Sequence, residues 1–419
     1  MVGSRNASLW TVVGPSAWPP APPWMSFSTL LGLEACPRRW ALGAADYPSV
    51  WNKRGYPHPL QPASLEGTIV HLCLQEVTAA LVERGCPSLF HESAVAALRE
   101  LGGLTAIVLR SLERVLRSYE GNPRAAAVLD GTRHRLAARA PGLRSSVQKR
   151  LLRIQLERRT GESVKAIAHP GGPFRRRLPH GSYSEVELRA DGIGWHGIAD
   201  LLTISGTRCE IRDFKTGASK PEHEFQLQVY ALLWARDRQL NPDGRLAENL
   251  VLSYDTGDVD VPALDSENLH HLEDELRRRT AQALADLSVD PPRARPSSED
   301  CVPCPVRQLC EEYWPWLARH GLGGESGSTS FGDLQIRLGA QHGPRSWDGV
   351  VESGPGLEGG GSVLLRTADL WVDLHPDQRL RVLNVHINVP DEKPGEGHWG
   401  DPAVVATMGT RSEVFLVTT

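Results

Sequence analysis

The stretch from Ser184 to Trp234 constrains the fold more than any other part of the chain. Its segments GIADLLTI (197–204) and RCEIRDFKT (208–216) are short runs rich in β-branched and apolar residues, separated by the turn-forming pair Ser205-Gly206. They read as the two strands of a hairpin. From Phe225 to Trp234 the apolar residues change to helical spacing, so a helix follows the hairpin.

The hairpin carries the chemistry. Asp200 and Asp213 sit on its two strands, where pairing can bring them together. Lys215 follows Asp213 by two residues, and the strand period of two puts both on one face. A hard divalent ion such as Mg²⁺ takes oxygen ligands and usually only one or two carboxylates. Bound beside a lysine, it suits phosphodiester hydrolysis, in which water must be activated and charge on the phosphate neutralised. Glu187, on the strand before Asp200, is a candidate further ligand. An Asp-x-Lys tripeptide alone is weak, because on most strands it is a solvated surface pair.

The ordered set is more specific. Gly197-Ile198-Ala199-Asp200, then Asp213-Phe214-Lys215-Thr216-Gly217, then Gln226 and Tyr230 one helical turn apart, resembles the RecB-like branch of the PD-(D/E)XK nuclease superfamily. That resemblance implies an α/β fold with a central mixed sheet flanked by helices. It also implies a metal, Mg²⁺ or Mn²⁺, held by Asp200 and Asp213, a catalytic Lys215, and Gln226 and Tyr230 flanking the site near DNA. By the same analogy the main-chain carbonyl of Phe214 completes the metal shell. Asp213 stands where many members have Glu. Gly67-Thr68-Ile69-Val70-His71 opens an apolar helix upstream. A lone His there is commonly a core or surface residue, but its place before the hairpin resembles the family's metal-binding histidine.

The seven cysteines need an account, because no export signal is visible and a cytoplasmic location, where structural disulfides are disfavoured, is expected. Cys301, Cys304 and Cys310 form a C-x2-C-x5-C group, and a closed metal site needs a fourth ligand, for which Cys36 is the candidate. One cysteine before the nuclease core and three after it resembles the iron–sulfur subgroup of this branch, which includes the AddB nuclease domain and CRISPR adaptation nucleases. There a [4Fe–4S] cluster clasps the two ends of the domain. A structural Zn²⁺ fits the spacing as well, and unrelated buried thiols are the blander reading. Cys73, Cys86 and Cys209 sit in apolar surroundings and are expected in the core.

At 419 residues two or three domains are expected. Residues 1–24, with the run Trp18 to Trp24 rich in proline, read as an irregular leader. Residues 25–320 form the nuclease domain. It opens with a helix capped by Ser28 and running on through Cys36 to Trp40. A helical insertion spans about 92–160, a strand lies near 249–254, and a helix over 266–287 delivers the chain to the cysteines. Trp314 and Trp316 are expected to pack on that last helix. Residues 321–330 are a Gly- and Ser-rich linker. Residues 331–419 hold five or so short strands, expected to form a small β-barrel, an OB-fold by preference, for single strands or for a docking partner.

Net charge is −4, which gives no nucleic-acid signal by itself. Local charge differs: nine Arg and Lys from Arg133 to Arg159 face the single acid Glu157, and Arg175-Arg176-Arg177 follow. Such a block either meets phosphates or forms a solvated helix face. No run of the length a membrane span requires is apparent, so no membrane partner is expected. The expectation is a metal-dependent deoxyribonuclease, exonuclease rather than endonuclease, acting on single-stranded DNA or duplex ends in repair or anti-phage defence. No Gly-rich phosphate loop is present, so a helicase or other motor would be a partner in trans. The rival is a nuclease-fold module that grips DNA or docks a helicase without cutting.

Overall fold

The computed structural model describes residues 5–6, 9–52, 55–160, 175–206, 208–321, 329–367, 370–371, 373–388 and 404–418. Its central element is a five-stranded mixed sheet. The strands Gly181–Ala190, Trp195–Ser205 and Arg208–Phe214 pair antiparallel in sequence order. Gly206, at φ +47°, makes the tight turn between the second and third. The helix Pro221–Arg236 then crosses over and returns the chain to Asn249–Ser253, parallel to Arg208–Phe214. Asp258–Val261 closes the order on the far edge.

Both faces of the sheet are covered, as its apolar runs require. On one, Leu202, Ile204 and Ile211 pack with Leu227 and Leu233 of the crossover helix, with Leu30 and Leu33 of Phe27–Ala35, and with Leu276 of Ser266–Leu287. On the other, Leu201 and Phe214 pack under the helix Pro62–Glu83 and the helices of the insertion. Those are Ala94–Glu100, Gly103–Arg117, Leu129–Ala138 and Ala140–Leu151. The second half of Ala140–Leu151 and the turn after it are fastened to the sheet edge by Arg150 and Arg153.

Three local expectations change. The first helix is capped by Ser26, whose hydroxyl accepts from Thr29 N at 3.2 Å, not by Ser28. It also does not run through to Trp40. Pro37 cannot continue it, so Cys36 is extended and caps the next helix, Pro37–Ala44, its Sγ accepting from Arg39 N at 3.4 Å. The third concerns membrane length: the helix Pro62–Glu83, 22 residues, is long and apolar enough to cross a membrane by length and composition. Its apolar positions Leu65, Ile69, Val70, Leu74 and Val77 are packed inside the protein, which is the core-helix use of the same pattern.

The C-terminal region is a closed barrel of five strands. Thr329–Gly343 pairs with Ser346–Gly354, which pairs with Ser362–Arg366, all antiparallel. Ser362–Arg366 runs parallel to Val404–Thr407, which pairs with Arg379–Asn388, and that strand closes the ring on Thr329–Gly343. Glu413–Val417 extends the sheet from Arg379–Asn388. The expected irregular leader supplies its edge: Leu9–Val12 pairs parallel with Glu413–Val417, and Arg5–Asn6 with Leu370–Trp371. A strand edge left by the chain's end is thus covered by its beginning. Most of the expected linker, residues 322–328, lies outside the described residues.

The barrel packs on the cysteine-bearing segment. Tyr313, Trp314 and Leu317 bury themselves against Leu383 and Phe415, so Trp314 packs on the barrel and not on the helix Ser266–Leu287. Arg307 and Asp333 form a buried ion pair, and Tyr313 donates its hydroxyl to Asp333 at 2.8 Å. Arg381, 1% exposed, reaches Gln308 O at 2.6 Å and the Glu311 carboxylate at 2.8 Å. Arg124 of the insertion forks onto Glu413 at 2.7 Å.

Candidate active site and cysteine cavity

The register of the first three strands lines up three carboxylates. Pairs Ser184↔Leu201 and Val186↔Ala199 bracket Glu185 and Asp200, and Asp213 lies one step beyond the pair Leu201↔Arg212. Glu185, Asp200 and Asp213 therefore form a row across the sheet. Glu185 leaves the regular ladder with a φ of +53°, a conformation that costs a non-glycine residue about 1–2 kcal/mol. Strain of this kind collects at functional sites.

The helix Pro62–Glu83 brings His71 to the row, with Nδ1 3.4 Å from Asp200 Oδ1. The other oxygen of Asp200 accepts from Phe214 N at 2.6 Å, which fixes the carboxylate and puts the Phe214 main chain beside it. Lys215 Nζ lies 2.5 Å from Asp213 Oδ2 and donates to Gln226 Oε1 at 2.6 Å. Gln226 Nε2 in turn donates to Tyr230 OH at 2.7 Å. Tyr230 has room because residue 197 is glycine: a Cβ there would lie 2.7 Å from Tyr230 Cε1. From behind, Arg150 Nη2 donates to Lys215 O at 2.6 Å, and Lys215 N donates to Ser253 O at 3.0 Å.

The electrostatics follow from burying negative charge. Burial first, then the Asp200 charge, raises Asp213 well above the usual carboxylate range, against the pull of Lys215. Glu185 is pushed up to about 7 by burial and then by Asp200, with His71 opposing. Burial lowers His71, but its hydrogen bond to Asp200 and the charges of Asp200, Asp213 and Glu185 outweigh that and raise it overall. With all three carboxylates charged, a single ammonium and an imidazole leave a surplus of negative charge in a confined site, which after burial is what raises Glu185 and Asp213. Oxygen donors with surplus negative charge are what a hard divalent cation requires.

Of the residues expected here, Asp200, Asp213, Lys215, Gln226, Tyr230, His71 and Phe214 are brought together. Glu187 is not. Its carboxylate forks onto Arg189 at 3.0 Å and faces Arg175 at 3.5 Å and His196 at 3.8 Å. Glu185 stands in the place expected for it. Both have the same strand parity, so alternation could not separate them; only the register does. Arg150 was read as part of a basic block, and nothing in the sequence marks it as the one that turns inward.

Most of that block is spent on internal pairs. Lys149 binds Asp255 at 2.9 Å, Arg153 binds Asp258 at 2.8 Å, Arg133 binds Glu113 at 3.2 Å and Arg139 binds Glu66 at 3.1 Å. Arg159 lies over the Tyr183 ring. In the second cluster, Arg175 pairs with Asp237 and Arg177 with Asp243.

Cys36, Cys301, Cys304 and Cys310 line one cavity, joined there by Arg38, Arg39 and Tyr313. The proximity of the four shows electrostatically: the Cys36 charge raises each of the other three thiols, after burial as the main cause. Arg38 forks onto Glu312 at 2.9 and 3.0 Å and Arg39 meets Asp300 at 3.1 Å, so the segments bearing the thiols are tied together by charge as well. Four thiols in one cavity, those of Cys36 and Cys304 buried and those of Cys301 and Cys310 half-buried, are a fitting donor set for a thiophilic metal. Among the described residues, no group of three or more His, Cys, Asp or Glu side chains is drawn to ligand spacing. Cys73, Cys86 and Cys209 lie elsewhere, buried in the core as expected.

The family model for the PD-(D/E)XK nuclease superfamily matches residues 24–311, well over half of the chain. The chain belongs to that superfamily, a class of metal-dependent nucleases. No curated protein matches it. One solved structure, "Crystal structure of SSO0001", is 20% identical with a TM-score of 0.20. The match covers 31% of this chain and 60% of that one.

Proposed function

We propose that this protein is a DNA nuclease of the RecB-like branch, cutting phosphodiester bonds at the row Glu185–Asp200–Asp213. The observation that carries the reading is the chain of contacts set beside that row: Asp213 ion-paired with Lys215 at 2.5 Å, Lys215 donating to Gln226 at 2.6 Å and Gln226 donating to Tyr230 at 2.7 Å.

Asp200, Asp213, Glu185 and His71 are the residues to hold Mg²⁺ or Mn²⁺, with the Phe214 carbonyl beside them. When bound, the cation supplies activation of water and neutralisation of phosphate charge. Lys215 does the rest of the electrostatic work. Its ammonium is aimed by two acceptors, Asp213 and Gln226, so it meets an incoming phosphate oxygen without first losing freedom of its own. Gln226 and Tyr230 hold Lys215 in that direction. Glu187, locked to arginine, supports the strand and takes no part in the chemistry.

Cys36, Cys301, Cys304 and Cys310 are proposed to hold a [4Fe–4S] cluster, with structural Zn²⁺ as the alternative. Either supplies a cross-link. The thiols come from opposite ends of the domain, and closing so long a loop removes much freedom from the unfolded chain. The strand order of the barrel, with its third and fifth strands parallel, supports an OB type, and the barrel is proposed as a strand-binding or partner-docking module. A helicase partner and a role in repair or phage defence remain part of the proposal.

The test is cleavage of end-labelled single- and double-stranded DNA by anaerobically purified protein with Mg²⁺ or Mn²⁺, beside Lys215→Ala. Metal-dependent products lost in the variant are expected, and the ladder gives polarity. Identical products from parent and variant would sink the assignment. No products from a folded, DNA-binding parent would favour the non-cleaving module.

A further inference from the structure

Outside the carboxylate row, the insertion carries a positively charged groove with no role in the site described above. It has a volume of about 450 Å³ and is lined by Arg110, Arg114 and Arg117 with Leu72, Glu76 and Ser111. The three arginines come from one helix, Gly103–Arg117, at spacings of four and three residues, which place them on one face. Seven residues of helix span about 10.5 Å. The one acid among the described lining residues, Glu76, is taken by Arg110 at 2.6 Å. Among the described residues neither Arg114 nor Arg117 makes an ion pair.

The groove has a direction. Arg110 meets Glu76, and Ser111 receives the Cys73 thiol at 3.4 Å, so the two helices run in opposite senses. Arg114 and Arg117 therefore step back along Pro62–Glu83 toward His71 and Gly67. His71 faces Asp200, and a Cβ on Gly67 would lie 2.8 Å from Thr216 Oγ1, next to Lys215. Leu72, which lines the groove, follows His71 directly. The row of guanidinium groups thus leads to the carboxylate cluster from its flank.

We propose that this groove binds the phosphodiester backbone of the strand whose cleavage occurs at the carboxylate row, holding it away from the scissile bond. The proposal rests on the nuclease reading for the direction of the strand. The chemistry fits. Guanidinium groups bind phosphate oxygens in pairs, and a basic track offsets the repulsion that surplus carboxylate charge exerts on a polyanion. Ser111 and Leu72 offer no base-reading groups in number, so the contact is to backbone and indifferent to sequence.

The test uses the full chain carrying Lys215→Ala, so that binding is read without cutting, with fluorescent oligonucleotides across a salt series. Replacing Arg114 and Arg117 together with Ala should flatten the dependence of log K on log salt by about 1.4 for a long single strand. Parent and variant, equal near 1 M salt, then separate by about 25-fold at 0.1 M. Arg117→Gln alone should give about half that change in slope, which keeps the test open if the double variant folds poorly. Arg278→Ala, on an exposed part of Ser266–Leu287, controls for general charge and should bind like the parent. DNA and RNA of one sequence are compared: equal losses assign the groove to the backbone common to both, and a loss confined to one names the polymer.

An unchanged slope, the same loss in Arg278→Ala, or equal displacement of long strands by inorganic phosphate at matched ionic strength overturns the proposal. Cleavage is scored separately on the chain with Lys215. A parent that cuts while the groove variant binds normally removes the groove alone. A parent that binds through the groove and never cuts removes the nuclease reading alone.

Discussion

Arg150 donates from Nη2 to the main-chain carbonyl of Lys215 at 2.6 Å, from a helix of the insertion to the strand end that carries the Lys215 ammonium. It is 0% exposed, and its other amino group binds Asp255 at 3.1 Å and Ser146. The insertion is therefore part of the site's support. Arg150→Met should leave the Lys215 carbonyl unpaired, at a cost of about 1–3 kcal/mol. Thermal unfolding should show that loss, and turnover should fall more than DNA affinity, because the direction of Lys215 relaxes. A variant with parental turnover would remove the positioning role.

The strained, half-buried Glu185 makes stability depend on pH. Its carboxyl is raised from 4.5 to about 7 in the fold. Between those values the folded state keeps a proton that the unfolded state has lost, so stability falls as pH rises through that window and levels off above it. The effect is at most about 3 kcal/mol, and less because water partly reaches the group. In metal-free protein, Tm should drop from pH 5 to pH 8 more in the parent than in Glu185→Gln, and Mg²⁺ or Mn²⁺ should restore the parent at pH 8 only. Equal pH profiles in the two proteins would refute the account.

Gly197→Ala tests the relay without touching a polar group. The new methyl would meet Tyr230 Cε1 at 2.7 Å and Leu233 Cδ1 at 3.0 Å, and overpacking of this kind costs about 1–3 kcal/mol. Tyr230 must shift, and Gln226 and Lys215 with it. Cleavage should fall by at least about tenfold, the effect of roughly 1.4 kcal/mol, while DNA binding persists. Full activity in Gly197→Ala would show that Tyr230 does not set the direction of Lys215.

Among the contacts that dock the barrel, the Arg307–Asp333 ion pair is buried on both sides. Asp333 accepts from Arg307 and from Tyr313 and also receives Asn384 N at 2.9 Å. Asp333→Ala leaves Arg307 buried without its counter-charge, a loss of about 3–5 kcal/mol. Limited proteolysis should then release the region after residue 321 at temperatures where the parent resists. A protease-resistant variant with parental Tm would contradict the docking described.

The cysteine cavity predicts a cross-link. Cys304→Ala should lower Tm, reduce soluble yield and remove metal and any colour from anaerobically purified protein, whereas Cys86→Ala, remote from the cavity, should keep both. Iron with sulfide, or zinc, measured per chain decides between the two metal readings. A parent that carries neither would end both.

How much of this was legible in the sequence differs from element to element. The hairpin around Ser205-Gly206 and the helix Ser266–Leu287 could be read because local alternation and helical spacing are properties of neighbouring residues. The set Asp200, Asp213, Lys215, Gln226 and Tyr230 was equally legible, since its spacing along two strands and one helix is itself the motif. Glu185 and Glu187 share a face by parity, so the sequence reading that offered Glu187 had no local ground to prefer it to Glu185. The register and a left-handed φ at Glu185 decided between them, and both are set by contacts across the sheet. Arg150, Arg153 and Lys149 read alike as basic surface. Only packing against Asp255 and the strand end turned Arg150 inward, because burial of a charge depends on a partner that lies 105 residues away. The leader's strand Leu9–Val12 has the same cause. Its pairing with Glu413–Val417 joins the two ends of the chain, and no local pattern can announce a partner at that distance. Sequence fixes what each segment is able to form and which chemistry it carries; the tertiary structure chooses the partners, because desolvation and pairing are decided between residues far apart in the chain.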